Sequence, residues 1–152
     1  MENFNVTYYA DYVTFLYCLH KNYDDMSTLG LCQESFNKVS KESILRDFAS
    51  RAFYTSFLHV RKELALPKAM HETLQPLLEP KYKNMFKEMK AFRVHADYNV
   101  DTPLISPLRG KNNDQYYPER LLSIMNTLLS LSGEALATDH SMLNDNRKRN
   151  NI

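Results

Sequence analysis

Apolar side chains recur along the chain at spacings of three and four, which predicts helices. Tyr8, Tyr9, Tyr12, Phe15, Leu16 and Leu19 draw such a stripe over residues 5–21, although its aromatic content leaves a strand open. Residues 22–39 hold Asp24, Asp25, Ser27, Thr28 and Gly30 and read as a loop, with a short helical piece over residues 32–36. Ser40 is a suitable N-cap for a long helix that runs to about Ala65 and stops ahead of Pro67. Ile44, Leu45, Phe48, Ala49, Ala52, Phe53, Phe57, Val60 and Leu64 cover more than half its circumference, so it belongs at the middle of a bundle with Phe48 and Ala52 buried. Ala49, Ser50, Ala52 and Ser56 are small and let neighbouring helices approach.

A short helix is predicted over residues 69–78, ending near Pro80, and another over residues 81–97. Met85, Met89, Phe92 and Ala96 form its core face, while Lys83, Lys87, Lys90 and Arg93 share a different, basic face. Pro103, Pro107, Gly110 and the run Asn112-Asn113-Asp114 mark residues 99–115 as a long loop. Pro118 suits the first position of a last helix with a core face of Leu121, Leu122, Ile124, Met125, Leu128 and Leu129. Residues 138–152 are polar and are expected to be a disordered tail beyond a domain of residues 1–137. No internal repeat is visible.

Composition narrows the classes. A length of 152 residues suits one domain. Only 3 glycines exclude a glycine-rich phosphate loop, and 2 cysteines exclude a disulfide scaffold or a four-cysteine zinc site. No apolar run is long enough to span a membrane, and the first residues lack the features of a signal peptide, so a cytoplasmic location is expected. The net charge of +1 hides an asymmetry: residues 41–100 carry 11 basic and 7 acidic side chains, whereas residues 1–40 carry 2 and 5. That central basic region suits either phosphate contacts or a solvated helix face.

Candidate chemistry is sparse. None of His20, His59, His71, His95 and His140 has the spacing of a helical zinc pair, and Cys18 and Cys32 read as small apolar fillers, so neither metal nor cofactor is expected. The informative stretch is Phe92-Arg93-Val94-His95-Ala96-Asp97-Tyr98. Arg93 and Asp97 are four apart and can pair on a helix. Arg93 and His95 are two apart and point to nearly opposite sides, so they cooperate within one chain only if the helix ends or unwinds there.

Ser50-Arg51-Ala52-Phe53-Tyr54-Thr55-Ser56-Phe57 resembles the S-R-A-Y-Y-x-x-F segment of HEPN domains, and residues 93–98 resemble the R-x-x-A-D-Y signature of one HEPN branch. His71 falls where that branch often has a histidine, and the resemblance covers roughly residues 40–135. It implies an all-α, up-and-down bundle of about four to five helices, usually dimeric. Many such domains are metal-independent endoribonucleases of toxin–antitoxin, stress or anti-phage systems, in which R-x(4–6)-H motifs from two protomers meet. Others are non-catalytic dimerisation or adaptor modules, and a bundle with a nucleotide in its cleft is a further alternative. The resemblance makes Arg93, His95 and Tyr98 the candidate catalytic residues. Lys83, Lys87, Lys90 and Arg51 become candidate RNA contacts, and Asp97, Ser50 and Tyr54 the structural part of the motif. RNA, a second copy and a protein partner, such as an antitoxin or a defence-complex subunit, are the implied partners. The chain departs from the nuclease pattern in having Lys90 five before His95, and in Ala96 and Asp97 separating His95 from Tyr98. Histidine would move protons between the ribose 2′-OH and the leaving 5′-oxygen, while Arg93 and Lys90 would stabilise charge on the phosphorus.

Overall fold

The computed structural model of the chain describes residues 5–28, 40–99, 101, 104 and 117–151. Helix α1 (Val6–Lys21) begins at Asn5, whose Oδ1 accepts the Thr7 N–H at 3.1 Å. Tyr23–Thr28 forms a short α2 in place of the loop expected there. Asp24 and Asp25 in its first turn complement the positive end of the helix. The helical piece expected over residues 32–36 and most of the loop expected over residues 99–115 lie outside the described residues.

Helix α3 (Lys41–Glu63) starts as its cap predicts, with Ser40 Oγ accepting the Ser43 N–H at 3.0 Å. It stops in a Schellman arrangement: Leu66 N–H donates to Arg61 O and Ala65 N–H to Lys62 O. Ala65 fills the left-handed position there, with φ 55°, where glycine is usual. The helix predicted over residues 69–78 is split into α4 (His71–Leu74) and a 3₁₀ turn, Gln75–Leu77. Pro76 accounts for the split, because it has no N–H for a continuing helix and its ring crowds the preceding turn. Helix α5 (Pro80–Tyr98) opens on proline, and α6 (Tyr117–Leu129) has Pro118 second rather than first.

The polar tail is corrected. After α7 (Gly133–Leu136), residues 140–150 form α8 (His140–Asn150), capped by Asp139 Oδ1 accepting the Ser141 and Met142 N–H groups. Leu143 is buried, Asn146 Nδ2 donates to Leu64 O at 3.3 Å, and Asn150 donates to Ala65 O. Composition alone missed this helix because two asparagine side chains, not an apolar stripe, dock it on carbonyls left open at the end of α3. Gly133 sits so close to that end that a Cβ would lie 2.3 Å from Glu63 O.

The chain is all-α among the described residues; the one extended pairing is an isolated bridge between Leu78 and Ala137. α3 lies at the centre, packed against α1, α5 and α6. Phe48, Ala49, Ala52 and Val60 on it are fully buried, as its pattern predicts. On α5 Met89, Phe92 and Ala96 are buried as predicted, and Phe86 joins them. Phe86 is fully buried against Phe53 and Phe57, with ring centroids 5.5 and 6.3 Å away, while Met85 is only partly buried.

Candidate functional site

The two resembling segments meet between α3 and α5. Arg46, Ser50, Phe53 and Phe57 are spaced four, three and four along α3 and share one side of it. Arg93 Nη2 donates to Tyr54 Oη at 2.6 Å, and Arg93 Nε lies 2.8 Å from Asp97 Oδ2. That Nε–H is not aligned with the oxygen, so the contact is an ion pair without a hydrogen bond. Ser50 Oγ donates to the same carboxylate oxygen at 3.4 Å. The guanidinium also lies over the rings of Tyr54 and Tyr98, 5.1 and 5.4 Å from their centroids. Burial opposes its charge, but Tyr54, Asp97 and Tyr98 more than restore it, and its pKa is raised above the ordinary arginine value. Ser50, Tyr54, Arg93 and Asp97 thus form a polar latch joining the two helices, with Tyr98 at its exposed edge.

Arg46, absent from the sequence-based candidates, holds the end of α5. Its Nη1 donates to His95 O at 3.3 Å and to Ala96 O at 2.9 Å, and its Nη2 to Asn99 O at 3.2 Å. His95 O also accepts the Asn99 N–H at 3.0 Å, whereas Ala96 O and Asn99 O lie past the last helical donor, and a cation there also complements the negative helix end. Glu42 pairs with Arg46 at 3.1 Å and accepts the Leu104 N–H at 2.7 Å, so one ion pair fixes both the end of α5 and the chain beyond it. The signal was present: Arg46 is a charge on the same side of α3 as Ser50, Phe53 and Phe57.

α5 continues unbroken through Tyr98, so the early end that would let Arg93 and His95 converge does not occur. They stand about 200° apart around the helix. His95 Nδ1 lies 3.0 Å from Asn99 Nδ2, one turn on, while Arg93 faces Tyr54. Within one chain, Arg93 and His95 therefore cannot act on the same phosphate.

The basic candidates divide into three environments. Lys90 Nζ lies 3.6 Å from Glu72 Oε1, next to His71. Glu72's own backbone N–H, then His71 and Lys90, hold its carboxyl below the ordinary range. Lys83 is half-buried and Lys87 exposed, and among the described residues neither pairs with a carboxylate. Arg51 is turned away from these lysines: its Nε lies 3.3 Å from Asp47 Oδ1, and Asp47 Oδ2 accepts the Tyr12 hydroxyl of α1 at 3.2 Å. His71 stands edge-on to Phe53, with ring centroids 6.5 Å apart.

Among the described residues no cluster of His, Cys, Asp or Glu is arranged to hold a metal ion, and no helix is long and apolar enough to cross a membrane. No protein-family model, no curated protein and no solved structure matches the chain.

Proposed function

We propose that the chain is a HEPN-like helical bundle that binds RNA along α5. One surface feature supports this reading. Lys83, Lys87 and Lys90 succeed one another on one side of α5 and lead to Val94 and Tyr98, the latter 67% exposed. A row of cations that tracks phosphates, ending in an aromatic face on which a base stacks, is a recurring design for single-stranded nucleic acid. In this reading Lys83 and Lys87 contact phosphates and Tyr98 supplies the platform. Ser50, Tyr54, Arg93 and Asp97 hold α5 in register with α3. Arg51, on the α1 side, takes no part.

Cleavage by an Arg93 and His95 pair needs the two groups from different copies, since one helix turns them apart. The setting implied by the resemblance is a toxin–antitoxin, stress or anti-phage system with cytoplasmic RNA as target and an antitoxin or defence-complex subunit as protein partner. The test is incubation of labelled single-stranded RNA with wild type in chelator-containing buffer, followed on native and denaturing gels. A shifted band supports the reading, and a cleavage product that disappears in His95→Ala extends it to an endoribonuclease. Absence of any shifted band at low salt refutes it.

A second reading, a non-catalytic dimerisation or adaptor module, is favoured by a separate observation. Tyr8, Tyr9, Tyr12 and Phe15 of α1 are exposed, whereas only Val13 and Leu16 of that helix are buried.

A further inference from the structure

Lys83, Lys87 and Lys90 follow one another along α5, yet among the described residues only Lys90 is matched by a carboxylate of this chain. Glu72 Oε1 lies 3.6 Å from Lys90 Nζ and also touches His71 Nε2. Two nitrogens from two elements, α4 and α5, thus converge on one oxygen. His71 is held in place: its ring stands edge-on to Phe53, with centroids 6.5 Å apart, and its side chain is 19% exposed. Its Nε2 is buried and makes no aligned hydrogen bond with the carboxylate. The Glu72 side chain, by contrast, is 66% exposed. An ion pair so open to water contributes little to a fold, so the carboxylate can swing out at small cost.

We infer that His71 and Lys90 form a phosphate site between α4 and α5, and that the Glu72 carboxylate is its internal stand-in. The chemistry of the two nitrogens selects the ligand. Lys90 brings a positive charge and His71, in the tautomer protonated at Nε2, an N–H donor, and one anionic oxygen satisfies both. A phosphate oxygen in the place of Glu72 Oε1 takes both contacts and gives His71 Nε2 the hydrogen-bond partner it lacks. Arg93, three residues beyond Lys90, is committed to Tyr54 and Asp97 and leaves the site to the other two. The place of Lys90 in the row names the source. It stands about one turn after Lys87, so a strand with phosphates on Lys83 and Lys87 brings its next one to Lys90. That source rests on the RNA reading; the site does not, because free inorganic phosphate offers the same oxygens.

Fluorescence anisotropy of a labelled single-stranded RNA, with wild type and Glu72→Gln, tests the inference. Glu72→Gln, at an exposed position, is expected to leave the melting temperature unchanged and to tighten binding about fivefold, the upper end of what one exposed ion pair is worth. Adding Lys90→Gln to it is expected to erase the gain, and adding His71→Gln to reduce it. Glu88→Gln removes an acid of the same helix that pairs instead with Arg120, and is expected to change affinity by less than about twofold, since salt screens charges outside the site. Titration of inorganic phosphate into Glu72→Gln, followed by the NMR signals of the His71 ring, separates the two sources. Tightening that depends on Lys90 assigns the site to RNA phosphates. Movement of the His71 signals by inorganic phosphate, with RNA binding untightened or absent, assigns the site to free phosphate. RNA bound equally by wild type and Glu72→Gln, with His71 unmoved by phosphate, overturns the site and leaves the RNA reading standing on Lys83 and Lys87. No RNA binding by either protein and no movement of His71 overturns both.

Discussion

Replacing Arg46 with methionine keeps most of the side chain's bulk but removes its charge and its donors. It therefore isolates what Arg46 does for the end of α5. The lost interactions are the donations to Ala96 O at 2.9 Å, Asn99 O at 3.2 Å and His95 O at 3.3 Å, and the pair with Glu42. A hydrogen bond from a charged group is worth about 1.5–3 kcal/mol net. Only the contact to Ala96 O is short, and Asn99 is exposed enough for water to replace the arginine there. Counting the short bond in full and the two longer ones at about half gives about 3–6 kcal/mol, and the Asn99 N–H that still bonds His95 O places the loss at the lower end, about 3 kcal/mol. For a chain of this length that lowers the melting temperature by about 6–12 °C. Urea unfolding followed by circular dichroism measures the difference directly. Arg46→Lys is expected to recover less than half, because one ammonium group on a flexible stem cannot reproduce the fork that spans these carbonyls. A loss below about 1 kcal/mol, or full recovery by lysine, would refute the assignment of Arg46 as the group that fixes residues 93–98.

Other expected outcomes follow from particular contacts. Phe48→Ala removes a fully buried ring at the centre of α3 and is expected to cost about 3–5 kcal/mol in chemical denaturation. Gly133→Ala places a Cβ 2.3 Å from the Glu63 carbonyl, which is backbone and cannot swing aside, so a loss of about 1–3 kcal/mol is expected in the same assay. Ala65→Gly relieves the left-handed backbone at the end of α3 and is expected to stabilise by up to about 1 kcal/mol. A hydrogen bond from Arg147 lowers the Glu134 carboxyl from 4.5 to about 2 in the folded chain. Its contribution is therefore complete above about pH 4.5 and lost as pH falls towards about 2. Denaturation midpoints at pH 5 and pH 2.5 are expected to differ less in Arg147→Met than in wild type.

The parts of the fold that were legible in the sequence are those decided by apolar periodicity and local caps. The extent of α3, the Ser40 cap, the burial of Phe48 and Ala52 and the helix over most of residues 81–97 follow from side-chain spacing alone. What was not legible depends on contacts between distant residues. α8 is held by Asn146 and Asn150 on the Leu64 and Ala65 carbonyls, and a polar composition cannot reveal such docking. Phe86 of α5 belongs inside only because Phe53 and Phe57 face it. The i,i+4 pairing of Arg93 with Asp97 was readable from spacing, whereas its bond to Tyr54 and the capping by Arg46 needed α3 and α5 to be side by side. The divergence of Arg93 and His95 rested on whether the helix continued, and Arg46 satisfies Ala96 O and Asn99 O at its end.

The claim that α5 carries the RNA contact is tested most directly by the salt dependence of binding. Fluorescence anisotropy of a labelled single-stranded RNA, titrated with wild type and with Lys83→Gln/Lys87→Gln between about 50 and 200 mM salt, gives the slope of log affinity against log salt. Each phosphate contact to a single strand contributes about −0.7 to that slope. The double variant is expected to bind more weakly at every salt concentration, with a slope shallower by about 1.4. An unchanged slope, with wild type and variant binding equally, would contradict the account.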